Sequence, residues 1–386
     1  MTVNPSVLTW ARQTAELDLG TAAARIGVPP ERIVEWESGA TDPTINQLRA
    51  MADAYHRPLA ALFMAAPFSD EQLPRLPDFR QAAVRSEPSP RALAKAILRA
   101  HRQREALVET AAELGLSESA MSADYSLSLN APSEETAELL RSVLAIDALP
   151  KAVLGRPQEF LRALVRAAEG QNVTVIQVQR VDVNMMRGFS LGDGPYPIAA
   201  LNGGDWPRGK TFTLLHELAH IGFRSNGLCD LEREDRVEIE RRCDEVAAAT
   251  LMPRAEFIRA IGAYQGADLT VEVAHDIGQP FGASGQAALL RMVEVGRATW
   301  DDYWRLKPAF DDAFRSFKAV EKAATAGTDS PIFYQLKARD LGHRFIRQIL
   351  HAHREEAIST RDVVQLLEVS YDKVAKLANA VGTDVE

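Results

Sequence analysis

Apolar residues fall three and four apart through SVLTWARQTAEL, residues 6–17, and the same rhythm returns in short segments up to about residue 63. Within AAARIGVPPERIVEW, small residues line one helix, Gly27 closes it, Pro29 and Pro30 open the next, and Ile33 and Trp36 face inward. This is the grammar of a helix-turn-helix. A stretch rich in Pro and Asp, AAPFSDEQLPRLPDFR, reads as a linker, and helical patterns over residues 90–115 and 133–147 follow. Their apolar spacing suits packing rather than chemistry, and His101 in the first is read as a surface or packing residue.

From about residue 150 the pattern changes. PQEFLRALVRAAEGQ predicts a helix, NVTVIQVQ a β-branched strand, and GFSL and YPIAALN two shorter strands set off by Gly and Pro turns. A small sheet of this kind can take an extended peptide along its edge. Two apolar helices follow, one around TFTLLHELAH (residues 211–220) and one around EIERRCDEVAAATLMP (residues 238–253). In the last third, residues 271–296 and 358–381 echo the helix, turn, helix rhythm of residues 21–36, and read as helical hairpins more readily than as further DNA-binding units. Ser359 and Asp362 stand at capping-box spacing.

Composition narrows the class. The 386 residues allow two or three domains, and 46% hydrophobic with 25% charged residues is ordinary for a globular protein. No apolar run is long enough to cross a bilayer, and the first residues lack the marks of a secretory signal, so a cytoplasmic protein without membrane association is expected. Cys229 and Cys243 are neither closely spaced nor joined by a second Cys/His set, which argues against both a disulfide scaffold and a structural zinc site. The net charge of −9 gives no overall reason to expect a polyanionic partner.

The chemistry concentrates in TFTLLHELAH. On a helix His216 and His220, four apart, share a face and can converge on one ion, while Glu217 points to the flank where a water would stand. A catalytic zinc needs a third protein ligand. Downstream, Glu240 and Asp244 share a face at the same spacing, which resembles gluzincin peptidases. That resemblance makes Glu240 the third ligand and Asp244 the group that orients a ligand histidine. The rivals Glu238 and Glu245 have no acidic partner four residues later. Glu217 is then the expected general base, taking a proton from a water acidified by Zn²⁺ and passing it to the leaving amine. No motif assigns the group that stabilises the oxyanion; Arg187, Tyr196 and Arg224 are near in sequence. His351 and His353, two apart, are poor co-ligands.

Two resemblances cover most of the chain. Residues 6 to about 63 resemble an XRE (Cro/C1-type) domain, whose WExG signature stands here as Trp36, Glu37, Ser38 and Gly39. Together with LPDFR, MRGFSL, FTLLHELAH and the acidic helix ending in LMP, the chain resembles the ImmA/IrrE metallo-endopeptidases. It departs from them in having Asp244 where Asn is common, Val246 where an aromatic is usual, and no further His close after His220.

The fold implied is mainly α and multidomain. It comprises an all-α helix-turn-helix bundle (1–67), a linker and helical region (68–149), an α+β zincin-like domain of the gluzincin kind with a small sheet (150–260), and an all-α region (261–386). The function implied is cleavage of a regulatory protein, such as a repressor or a toxin–antitoxin regulator. The alternative is an XRE-family regulator or antitoxin whose peptidase-like domain senses or binds a partner without cutting it. For operator DNA, Arg25, Arg32, Glu31 and Glu35 lie in or beside the expected recognition helix. Residues 1–66 carry Arg12, Arg25, Arg32, Arg49 and Arg57 against Glu16, Asp18, Glu31, Glu35, Glu37, Asp42 and Asp53, an acidic balance. DNA affinity comes mainly from phosphate contacts, so a homodimer or a second partner would have to supply what this module lacks.

Overall fold

In a computed structural model the chain divides into two units, residues 1–76 and 77–386. The structure describes residues 3–15, 17–55, 62–63, 90–116, 125–224, 233–325 and 332–382. The LPDFR segment and Cys229 lie outside them.

The first unit contains α1 (Pro5–Thr14), α2 (Leu19–Ile26), α3 (Pro30–Ser38) and α4 (Ile45–Tyr55). Asp18 caps α2 by accepting the Thr21 N–H at 2.8 Å. Gly27, at φ 80°, ends that helix in the left-handed conformation glycine adopts without strain. The WExG signature has a physical reading. Trp36 is 2% exposed in the core with Leu8, Ile33 and Met51. Glu37 accepts from Arg12 Nε at 2.7 Å and Nη2 at 2.8 Å, a two-pronged pair that ties α3 to α1. Gly39, at φ 76°, turns the chain where a Cβ would press on Pro5 Cγ at 3.0 Å.

The second unit is also mainly helical. It runs α5 (Pro90–Glu113), α6 (Ser133–Val143), α7 (Lys151–Leu154), α8 (Pro157–Gly170), β1 (Thr174–Val178), β2 (Gly188–Leu191), β3 (Ile198–Asn202), α9 (Pro207–Gly222), α10 (Arg233–Leu251), α11 (Arg254–Gly262), α12 (Val271–Gly278), α13 (Gly285–Glu294), α14 (Trp300–Thr325), α15 (Ile332–Leu341), α16 (His343–Arg354), α17 (Thr360–Leu367) and α18 (Val374–Ala380). The sheet order is β1-β3-β2, with β1 parallel and β2 antiparallel to the central β3. Every residue of β1 and β3 is buried, so both faces of the sheet must be covered.

One face, through Val175, Ala199 and Leu201, joins the core formed by α8, α9 and α10. The other, through Ile176, Val178, Phe189, Ile198 and Ala200, packs on Leu93, Ile97 and Ala100 of α5. His101 of α5 is half-buried, and burial lowers its pKa, as a packing residue requires. Helices α15 to α18 gather with α5 around Phe345, Ile349 and Leu377. The buried Glu169 at the end of α8 staples this layer down, accepting the Arg344 N–H at 3.1 Å and an Arg347 Nη2 bond at 3.1 Å. Ser359 and Asp362 form the expected capping box at the start of α17.

Candidate metal centre

Helix α9 carries both histidines and is buried along most of its length. Its first turn is anchored by Lys210, whose ammonium donates to Gly203 O at 2.8 Å and Gln177 Oε1 at 3.4 Å. Across from it, α10 buries Cys243, Val246, Ala247 and Leu251 in the same core as Leu214, Leu215 and Leu218. Tyr125 fastens this layer by donating its hydroxyl to the carbonyl of Leu218. With that face of α10 turned inward, the positions flanking Cys243 are brought over the His216 side of α9.

The sequence-derived donors meet there. His216 Nε2 lies 3.1 Å from His220 Nε2 and 3.2 Å from Glu240 Oε2, and His220 Nε2 is 3.4 Å from Glu240 Oε1. The two histidines approach different oxygens of Glu240, and with one donor atom taken from each residue the three lie within 4.8 Å of one another, close enough to surround a single ion. Among the described residues this is the single His/Cys/Asp/Glu group compact enough to hold a metal. His220 is 2% exposed at its side chain, His216 14% and Glu240 44%, a graded opening from a dry floor to solvent.

Asp244 accepts from His216 Nδ1 at 2.9 Å, which fixes the ring and turns Nε2 toward the other two donors. Burial opposes charge on His216, but the bonds to Asp244 and Glu240 outweigh it and push its pKa up to about 10 in the metal-free protein. Glu240 feels the reciprocal effect: burial raises its pKa, and the two histidines more than reverse this and hold it low.

Glu217 behaves differently. Burial is the dominant influence and raises its pKa, against the opposing pull of His216 and His220. Its Oε2 is buried with no hydrogen-bond partner in the protein, as is Ser190 Oγ on β2. Its Oε1 lies 2.9 Å from the point a Cβ on Gly188 would occupy, and Thr213 Cγ2 lies 2.4 Å from that point. Gly188 is therefore the space that lets α9 bring this carboxylate against β2. Sequence reading did not single out Gly188 or Ser190; the signal for them is the alternation of GFSL, which puts both on the face opposite to Phe189.

The rivals are placed elsewhere. Glu245 is taken up by Ser133 Oγ at 2.8 Å and by Arg241, and Glu238 lies on the exposed side of α10. Cys243 is a buried free thiol whose pKa burial drives upward. Of the three residues weighed for an oxyanion, Arg187 reaches Asp205 at 3.4 Å and Tyr196 is buried beneath the Arg344 guanidinium, 5.2 Å from its ring centre. Arg224 is an exposed residue at φ 53° just after α9. His351 and His353 do not converge: the first approaches Glu355 at 3.9 Å and the second the Ile358 carbonyl at 3.2 Å.

In the first unit Arg25, Glu31 and Arg32 are exposed and Glu35 is half-buried. Arg32 Nη1 lies 2.7 Å from Glu35 Oε2 on its own helix, so part of its charge is answered before any phosphate arrives.

Residues 170–292 match the peptidase family model described as IrrE N-terminal-like domain, and residues 8–62 match the one described as Helix-turn-helix. The first match contains the whole His216, His220 and Glu240 cluster, and the second contains α2 and α3. No curated protein and no solved structure matched the chain. The chain thus joins an XRE-type helix-turn-helix to an ImmA/IrrE-like, peptidase-type domain.

Proposed function

We propose that the second unit is a zinc-dependent endopeptidase that cleaves a regulatory protein, a repressor or antitoxin-type regulator, and that the helix-turn-helix unit directs it to its site of action. The observation that carries this reading is the convergence of His216, His220 and Glu240, one donor atom from each within 4.8 Å of the others, with the buried Glu217 beside them. Zinc held by His216, His220 and Glu240 would polarise a peptide carbonyl and acidify a water beside it. Glu217 accepts the proton of that water and delivers it to the departing amine, roles that suit a carboxylate whose pKa burial raises. Asp244 keeps His216 in the tautomer that presents Nε2.

A substrate segment in extended form fits along β2, which pairs with β3 on one side and with no other strand among the described residues. Gly188 in that strand then sets the scissile bond beside Glu217. No described helix is long and apolar enough to cross a membrane, which supports the expected cytoplasmic setting.

The test is metal analysis with cleavage assays. One zinc per chain is expected, lost in His216→Ala and kept in Glu217→Gln, while only the wild type cuts its regulator. A wild type without stoichiometric zinc ends the metal reading. If Glu217→Gln keeps its full cellular effect, the protein acts without proteolysis. For the first unit, the Arg32–Glu35 pair and the acidic balance favour a second reading in which this module recognises a protein rather than operator DNA.

A further inference from the structure

Away from the metal cluster, α10 ends at a cavity of about 510 Å³, within the ~300–1,000 Å³ range typical of small-molecule sites. Its floor is apolar: Phe160, Leu251 and Phe281, with Phe281 set edge-on to Phe257 at 5.7 Å. The floor is built through Gly282, which turns at φ 71° where a Cβ would strike the Phe160 ring at 2.6 Å. Any side chain at that position would push the Phe160 ring away and press on the Leu154 carbonyl, 3.3 Å from the same point.

The rim is charged, and its charges do not cancel. Arg141 is committed to Asp147 and to the carbonyl of Thr250. Lys151 and Arg259 have no ion-pair partner among the described residues, and Glu256 is the one remaining carboxylate of the lining. The surplus is one positive charge above an apolar basin. We infer that this cavity binds a small amphiphilic monoanion, its carboxylate or comparable head at Lys151 and Arg259 and its hydrocarbon body against Phe160 and Phe281.

An occupant would touch both Leu251 and Arg141, and so the C-terminal end of α10. Glu240 lies eleven residues earlier on the same helix, roughly 16 Å along its axis. The position is that of an effector site, read separately from the chemistry at Glu217.

Calorimetric titration of the full chain with decanoate, with decanol as the uncharged control, tests this. One saturable decanoate site per chain is expected, with at least ten-fold weaker binding in the double variant Lys151→Glu, Arg259→Glu. Leu149→Trp, which fills the rim, should abolish binding. His216→Ala should bind decanoate as the wild type does, which keeps this result independent of the peptidase reading. Equal affinity for decanol, no saturable site, or an unchanged affinity in the charge-reversed double variant would overturn the proposal. Both residues of that variant are exposed, so it tests the site even if Leu149→Trp fails to fold.

Discussion

Glu217 Oε1 on α9 lies only 2.9 Å from the point that a Cβ on Gly188 of β2 would occupy. Gly188→Ala must therefore displace Glu217, Thr213 or the strand itself. The expected outcome is a loss of peptide cleavage of about a hundredfold, the scale of a misplaced general base. Zinc content should stay at the wild-type level, and stability should fall by about 1–3 kcal/mol for the overpacking. Zinc analysis, thermal melts and cleavage rates on one preparation check all three, and unimpaired cleavage would mean that Glu217 does not act from this position.

Glu217→Gln should be at least as thermostable as the wild type in the metal-free state. A buried carboxylate with an unpartnered oxygen carries a desolvation penalty that a neutral amide of the same shape lacks. A melting temperature lower than that of the wild type would show that the charge stabilises the fold, contrary to a group held ionisable for chemistry.

In the metal-free protein His216 has its pKa raised from 6.5 to about 10, so its contribution to stability is fully present below pH 6.5 and is lost as pH rises toward 10. The melting temperature of metal-free wild type should fall over that window relative to His216→Phe. Because zinc takes the deprotonated ring, uptake at pH 8 should release about one proton per ion. Titration in buffers of different ionisation enthalpy reads that number. Asp244→Ala should reduce the release and weaken zinc binding by about 10–100-fold, the usual effect of removing a histidine's outer partner.

Glu35→Gln frees Arg32 from its neighbour on α3. If the first unit contacts DNA phosphates there, the variant should bind genomic fragments more tightly, with a steeper dependence on salt. No change in either quantity would assign that surface to a protein partner.

What could be read from the sequence was what repeats locally. His216 and His220, and Glu240 and Asp244, sit four apart on helices, and helical geometry alone places each pair on one face. The strands at 174–178, 188–191 and 198–202 were marked by β-branched runs and turn residues. That the two helices face each other across the same point came from family resemblance, since nothing within either segment encodes the other. Gly188 and Ser190 were invisible for the same reason: their meeting with Glu217 depends on how β2 registers against β3 and how α9 crosses the sheet. The packing character of residues 90–115 was legible, but its counterpart, the face of the sheet opposite α9, was not.

That opposite face also bears on how the protein can be handled. Ile176, Val178, Phe189, Ile198 and Ala200 are covered by a helix that begins 80 residues before the recognisable peptidase-type segment, which spans residues 170–292. A fragment trimmed to that segment would leave one side of its sheet oily and bare, and would clump before its chemistry could be assayed. The His216 cluster and the helix that covers the far side of its sheet are written in different parts of the gene.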